Sequence, residues 1–184
     1  MDSTIRTRAS APSVFGAVYS SVAADTRCRP VARCMRTHAV EVACLARELA
    51  PLADADAGDA FAAGLLHGIG QLLLMRRDPP AYLELLADPS SHGDLLVREQ
   101  DAFATDHALA GAEYLLELRM PDPVADAVAD HEDPFVSSSP TTIVVAAADE
   151  LLGSDATRRH AVAMLDVPEG FADDGGARWG ALGS

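Results

Sequence analysis

Between residues 31 and 50 apolar side chains recur at steps of three and four. Met35, Val42, Leu45 and Leu49 share one helical face, and His38 stands among them. Pro51 ends that segment, and the acidic stretch DADAGD after it reads as a linker. Residues 60–76 are almost continuously apolar but carry Gly68 and Gly70, which predicts two helical pieces joined at His67-Gly68-Ile69-Gly70. Residues 14–24 have the composition of a short helix. Pro79-Pro80 opens another through residue 86, since proline suits the first turn. Asp88-Pro89-Ser90-Ser91 is a turn before a helix over 92–103. Thr105 or Asp106 caps the next, which runs to about 118. Pro121-Asp122-Pro123 starts a short helix ending near His131. Ser139-Pro140 starts one through 152, and residues 154–167 complete the series with a last short helix. No segment alternates with period two. The one β-rich run, Ile143-Val144-Val145, leads directly into Ala146-Ala147-Ala148. The fold class is therefore all-α, a compact array of short helices.

Composition limits what such an array can be. The 184 residues suit one domain, read here as a body over 13–167 between flexible tails at 1–12 and 168–184. Hydrophobic residues are 49% and aromatics 5%, so the core must be built from Ala, Leu and Val. Lys and Asn are absent, as expected of a G+C-rich and hence bacterial genome. Against 14 arginines stand 28 acids, a net charge of -14, which repels nucleic-acid backbones and anionic membranes alike. Cys28, Cys34 and Cys44 are odd in number and lack zinc-knuckle spacing. Cys34 and Cys44 lie about 15 Å apart along one helix, too far for a disulfide. They read as buried or half-buried thiols of a reducing compartment. No secretory signal opens the chain, and no apolar run is read as approaching the ~20 residues of a membrane span, so the expected location is cytoplasmic.

The candidate chemistry lies in the histidines. His38, His67, His107 and His131 fall inside apolar helical patterns, and Asp149 does the same between Val145 and Leu152. His92 and His160 have polar surroundings and read as surface residues. A single histidine on an apolar face is ordinarily a core residue with a satisfied hydrogen bond. Five ionisable groups on inward faces of different helices are costly to bury without partners. If they converge, they satisfy one another or hold a ligand, and imidazole with carboxylate suits a divalent transition metal. Arg76-Arg77 and Arg158-Arg159 read as solvated pairs.

These residues carry a resemblance. The stretches THAVEVACLARELA (37–50), AFAAGLLHGIGQLLL (60–74), EQDAFATDHALAGAEYLLELRMPDPVADAVADHEDP (99–134) and VVAAADELL (144–152) resemble the HDOD domain. That domain is the output-domain branch of the HD superfamily of metal-dependent phosphohydrolases. Glu99, Asp106-His107-Ala108, Gly111-Ala112 and Met120-Pro121 are its more specific marks. The resemblance spans about 31–152, and the family has a further helical portion upstream, so the chain reads as slightly short at the front. It implies His38, His67, His107, His131 and Asp149 as metal ligands, retained or vestigial. The main departure is Gly68, where the superfamily's His-Asp doublet places a metal-binding aspartate. The Gly-Tyr-Pro motif of the cyclic di-GMP phosphodiesterase branch is absent.

The resemblance with Gly68 implies a non-catalytic bacterial signal-transduction output or scaffold domain with no catalytic residues. Its partners would be signalling proteins or sensory domains, and its cofactor either none or a single divalent transition metal. Two alternatives stand beside it. One is a metal-dependent phosphohydrolase acting on a nucleotide or cyclic dinucleotide. The other is a nucleotide-sensing module that keeps the old pocket as a receptor.

Overall fold

The computed structural model describes residues 9–87, 95–134 and 139–153. They form helices α1 (Ala11–Ala23), α2 (Arg29–Leu49), α3 (Ala57–Leu66), α4 (Ile69–Arg77), α5 (Pro79–Ala87), α6 (Leu95–Phe103), α7 (His107–Glu117), α8 (Asp122–Asp130) and α9 (Pro140–Leu152), with a 3₁₀ turn over Ala50–Ala53. The described residues contain no strand, and Val144-Val145 lie within α9. The helix expected over 154–167, the tail at 168–184, His92, His160 and Arg158-Arg159 lie outside the described residues.

Helix starts follow side-chain caps. Ser10 and Ser13 form a reciprocal capping box, so α1 opens at Ala11, ahead of the expected residue 14. Asp56 accepts hydrogen bonds from the Gly58 and Asp59 amides at 2.8 and 2.9 Å, which starts α3 inside the stretch read as a linker. Asp106, rather than Thr105, caps α7 by accepting from the Leu109 amide at 2.8 Å. Gln100 donates to the same carboxylate at 2.8 Å.

The core is aliphatic, as the composition requires. Leu49, Leu66, Ile69, Leu72, Met75, Leu115 and Val124 are fully buried, and each large aliphatic side chain contributes about 2 kcal/mol of burial. Helix α2 packs chiefly on α3 and then on α9, while α7 lies between α4 and α8. Two crossings depend on glycine. A Cβ at Gly64 would stand 2.8 Å from the Cα of Ala43, where α3 meets α2. A Cβ at Gly70 would stand 1.8 Å from the carbonyl oxygen of His107, so only glycine lets α4 approach the start of α7 this closely.

Three sequence readings are corrected here. The stretch Ala57–Arg77 does reach the length and apolarity of a membrane span, at mean hydropathy 1.2, although 61% of its window is buried inside the helical body and Gly68 breaks it into α3 and α4. Cys34 is exposed, whereas Cys28 is buried and Cys44 half-buried. Arg77 is more than solvated: it donates to the Phe103 carbonyl at 3.1 Å and lies over the Phe103 ring, tying α4 to α6.

Gly70→Ala should therefore destabilise the protein by about 3 kcal/mol, because backbone must move to admit the methyl group. Gly16→Ala, where an added Cβ meets nothing within 4 Å in α1, should stabilise it by about 0.5–1 kcal/mol. Urea unfolding of the two variants measures both changes.

Candidate functional site

The fold brings the five predicted residues together. His38 comes from the middle of α2, His67 caps the C-terminus of α3, His107 opens α7, His131 caps the C-terminus of α8 and Asp149 lies in α9. The imidazoles form a row, His38–His67–His131–His107, with successive centroids 5.2, 5.4 and 5.5 Å apart and edge-on geometry throughout. His67, His107 and His131 are buried. His38 and Asp149 are only half-buried, so these two line a cleft rather than occupy the core.

Helix ends orient the rings. The last carbonyls of a helix lack partners inside it. His67 Nδ1 donates to the Gly64 carbonyl at 2.7 Å, and His131 Nδ1 donates to the Val128 carbonyl at 2.9 Å. A carbonyl only accepts, so Nδ1 carries the proton and Nε2 is the free nitrogen of the neutral ring. His107 is held differently. Glu99, fully buried on α6, accepts from the His107 amide at 2.8 Å and from its Nδ1 at 2.7 Å through the same oxygen. The other oxygen of Glu99 accepts the Tyr82 hydroxyl at 2.5 Å. His38 Nε2 pairs with Asp149 at 2.7 Å. Glu132 lies 3.2 Å from His107 Nε2 and 3.6 Å from His131 Nε2. His107 Nε2 is thus paired ionically with Glu132, and among the described residues it makes no contact with hydrogen-bond geometry.

The electrostatics divide along the row. Burial drives His67 down to about 4 and also lowers His131. Burial pulls His107 the same way, but Glu132 and Glu99 outweigh it and push this group up to about 9. The hydrogen bond to Asp149 raises His38. Burial works against the charge of Asp149, yet His38 and the neighbouring imidazoles hold its carboxyl well below the usual range. Contact with His107 lowers Glu132 as well.

Two groups of three donors result: His38, His67 and Asp149 in one, and His107, His131 and Glu132 in the other, with the donor atoms of each within 4.8 Å of one another. Donors of one ion bonded at ~2.0–2.2 Å stand at most about 4.4 Å apart, so side-chain shifts of tenths of an ångström bring either group to ligand spacing. Imidazole with carboxylate fits a divalent transition metal, which would displace the proton that His107 Nε2 shares with Glu132. A bound ion would supply Lewis acidity and lower the pKa of a coordinated water.

The first group opens on a cleft of 510 Å³ whose lining includes Phe15, Met35, Leu72, Gly68, Glu132 and Glu150. A Cβ at Gly68 would meet nothing within 4 Å, and its backbone (φ -89°, ψ 12°) suits any residue. The aspartate of the doublet is thus missing where there is room for it.

Glu132 and Glu99 escaped the sequence reading of the site. Glu132 directly follows His131, where the expected helix ends, and was given no role. Glu99 did carry a signal, because Leu95, Glu99 and Phe103 repeat at steps of four and put a carboxylate on an apolar stripe.

The shifts predict how metal-free protein responds to pH. His107 is raised in the fold, so its stabilisation is complete below 6.5 and is lost as pH rises through about 9. His67 is lowered, so its contribution is complete above 6.5 and is lost as pH falls towards 4. Melting temperature measured with a chelator present should peak near pH 6.5, with losses on the order of 3 kcal/mol on each side. The alkaline limb should flatten in His107→Gln.

Comparison with known proteins agrees with this architecture. A protein from Shewanella amazonensis SB2B, described as a "putative phosphohydrolase", superposes with a TM-score of 0.64 at 19% identity, over 82% of this chain and 60% of that one. At that identity the likeness is one of fold, and the present chain spans about 60% of the other's length. No curated protein matches the chain. The family model of the HDOD domain matches residues 11–134, which starts earlier than the resemblance read over 31–152 and stops short of α9. Because that match runs from the first turn of α1 through the last histidine of the row, the chain belongs to the HDOD-domain family.

Proposed function

We propose that this chain is a regulatory HDOD module of bacterial, cytoplasmic signal transduction, one that presents its helical body to signalling proteins and does not hydrolyse phosphoesters. The lining of the cleft at Gly68 carries this reading. No side chain projects from position 68, and among the described residues the lining includes Glu132, Asp149 and Glu150 but no arginine. A phosphate entering there meets carboxylates. Hydrolysis would also need a group to orient and deprotonate water. Asp149 is engaged by His38, and Glu132 sits against two imidazoles. The same acidity weighs against a receptor for free nucleotides. Receiver or sensory domains are the partners that the family implies.

A metal-dependent phosphohydrolase is the second reading, and the two converging donor groups favour it. His38, His67 and Asp149 would hold an ion at the cleft, and that ion would supply the positive charge that the described lining residues lack.

Assays on nucleotides and cyclic dinucleotides with manganese, iron or zinc should show no turnover above buffer. Robust turnover that disappears in His67→Ala would overturn the proposal. Gly68→Asp should tighten divalent-metal binding about tenfold, equivalent to ~1.4 kcal/mol, since the added carboxylate reaches open space beside both donor groups. Titration calorimetry measures that change.

A further inference from the structure

The charge of this acidic chain is unevenly spread. Against 14 arginines stand 28 acids, yet no acid lies between residues 26 and 40, where Arg27, Arg29, Arg33 and Arg36 fall. Helix α1, which packs on α2, contains no charged residue. Arg29, Arg33, Arg36 and Val40 follow one another at helical spacing, so they share one face of α2, and all four are exposed. That face is a ridge of three guanidiniums about 10 Å long, ending in an apolar side chain that is 43% exposed.

Helix physics gives no reason for this arrangement. The first turn of α2 holds no acid, and cations at that end oppose the helix dipole. Like charges three and four residues apart also repel. Arg27 is paired with Asp25 at 2.6 Å, and Arg29 donates to the Ala23 carbonyl at 3.0 Å across the turn between α1 and α2. Arg33 and Arg36 have no ion pair or hydrogen bond among the described residues. Arg36 is nonetheless held in place. Its guanidinium lies 5.2 Å over the Tyr19 ring, and that ring stacks on Phe15 with centroids 6.2 Å apart. The contact orients the planar cation and leaves its N–H edge for an outside acceptor.

We propose that this ridge is a docking surface for an acidic amphipathic segment of a partner protein, with carboxylates against Arg33 and Arg36 and an apolar side chain against Val40. The proposal rests on the reading of the module as one that presents its helical body to signalling proteins. Charge complementarity and size select this occupant. Duplex nucleic acid and bilayers are also anionic, but both extend well past ~10 Å and would face the acidic remainder of the chain. A segment of two or three helical turns matches the ridge and ends with it. Val40 gives an apolar contact that a phosphate backbone has no use for.

A synthetic alanine-rich peptide tests the proposal, with glutamates at i, i+4 and i+7 and a leucine at i+11. Fluorescence anisotropy should show it binding the full chain, and more weakly as salt rises. Arg33→Gln combined with Arg36→Gln should weaken binding at least tenfold. Arg47→Gln combined with Arg76→Gln removes the same charge from other exposed positions and should stay within about twofold of the parent. Arg33→Gln alone should not lower the urea midpoint, because it relieves repulsion on α2; a clear drop would make Arg33 a structural residue and sink the idea. Absence of peptide binding to the parent, equal loss in both double variants, or tighter binding to a DNA duplex or to phosphatidylglycerol vesicles than to the peptide also overturns it. Phosphohydrolase turnover would refute the functional reading above and leave peptide binding intact.

Discussion

The backbone of α4 touches the backbone of α7 at Gly70, where any side chain would collide with the His107 carbonyl. The rest of the site depends on that contact. Closing the distance between the two helices sets the end of α3 against the start of α7 and the end of α8, so His67, His131 and His107 come edge to edge. A wider crossing would leave three buried imidazoles separated in an aliphatic core. Each would then need its own partner, and burial already opposes the charge on every one of them.

The ionisable groups in this interior are tolerated because each has a specific counterpart. Helix C-termini supply carbonyls to His67 and His131, which turns the unpaired ends of α3 and α8 into anchors. Glu99 is compensated by three donors from α5 and α7. At His107 Nε2 the counterpart is the Glu132 carboxylate, 3.2 Å away. At Gly68 the relation is reversed, since the space is present and the functional group is missing. This HDOD chain therefore keeps four converging imidazoles while position 68 carries no carboxylate.

Much of this was legible in the residues. Helix boundaries followed caps and prolines: Asp106, Pro79, Pro123 and Pro140 all stand where helices begin. Where a start was misplaced, at Ala11 and Ala57, the capping side chain was a serine in a stretch read as a tail or an aspartate in one read as a linker. The candidate ligands were recognisable because polar groups on apolar faces violate the helical pattern. Glu99 violated it too, at steps of four from Leu95 and Phe103, and yielded no role because its partners lie on α5 and α7. Glu132 follows the end of the apolar pattern of α8 and so breaks no periodicity that would have given a signal.

Local physics is written in the order of residues. Helix content, the aliphatic core, the strong acidity and the absence of a carboxylate at position 68 all follow from side-chain identity, and no packing could alter them. Which charges become partners is a matter of distances between helices. Only the tertiary structure decided that His38 is taken by Asp149 while His107 is backed by Glu99, and that two donor groups stand side by side. Hydrogen bonds and ion pairs act over a few ångströms, and these residues lie up to 111 positions apart in the chain, from His38 to Asp149.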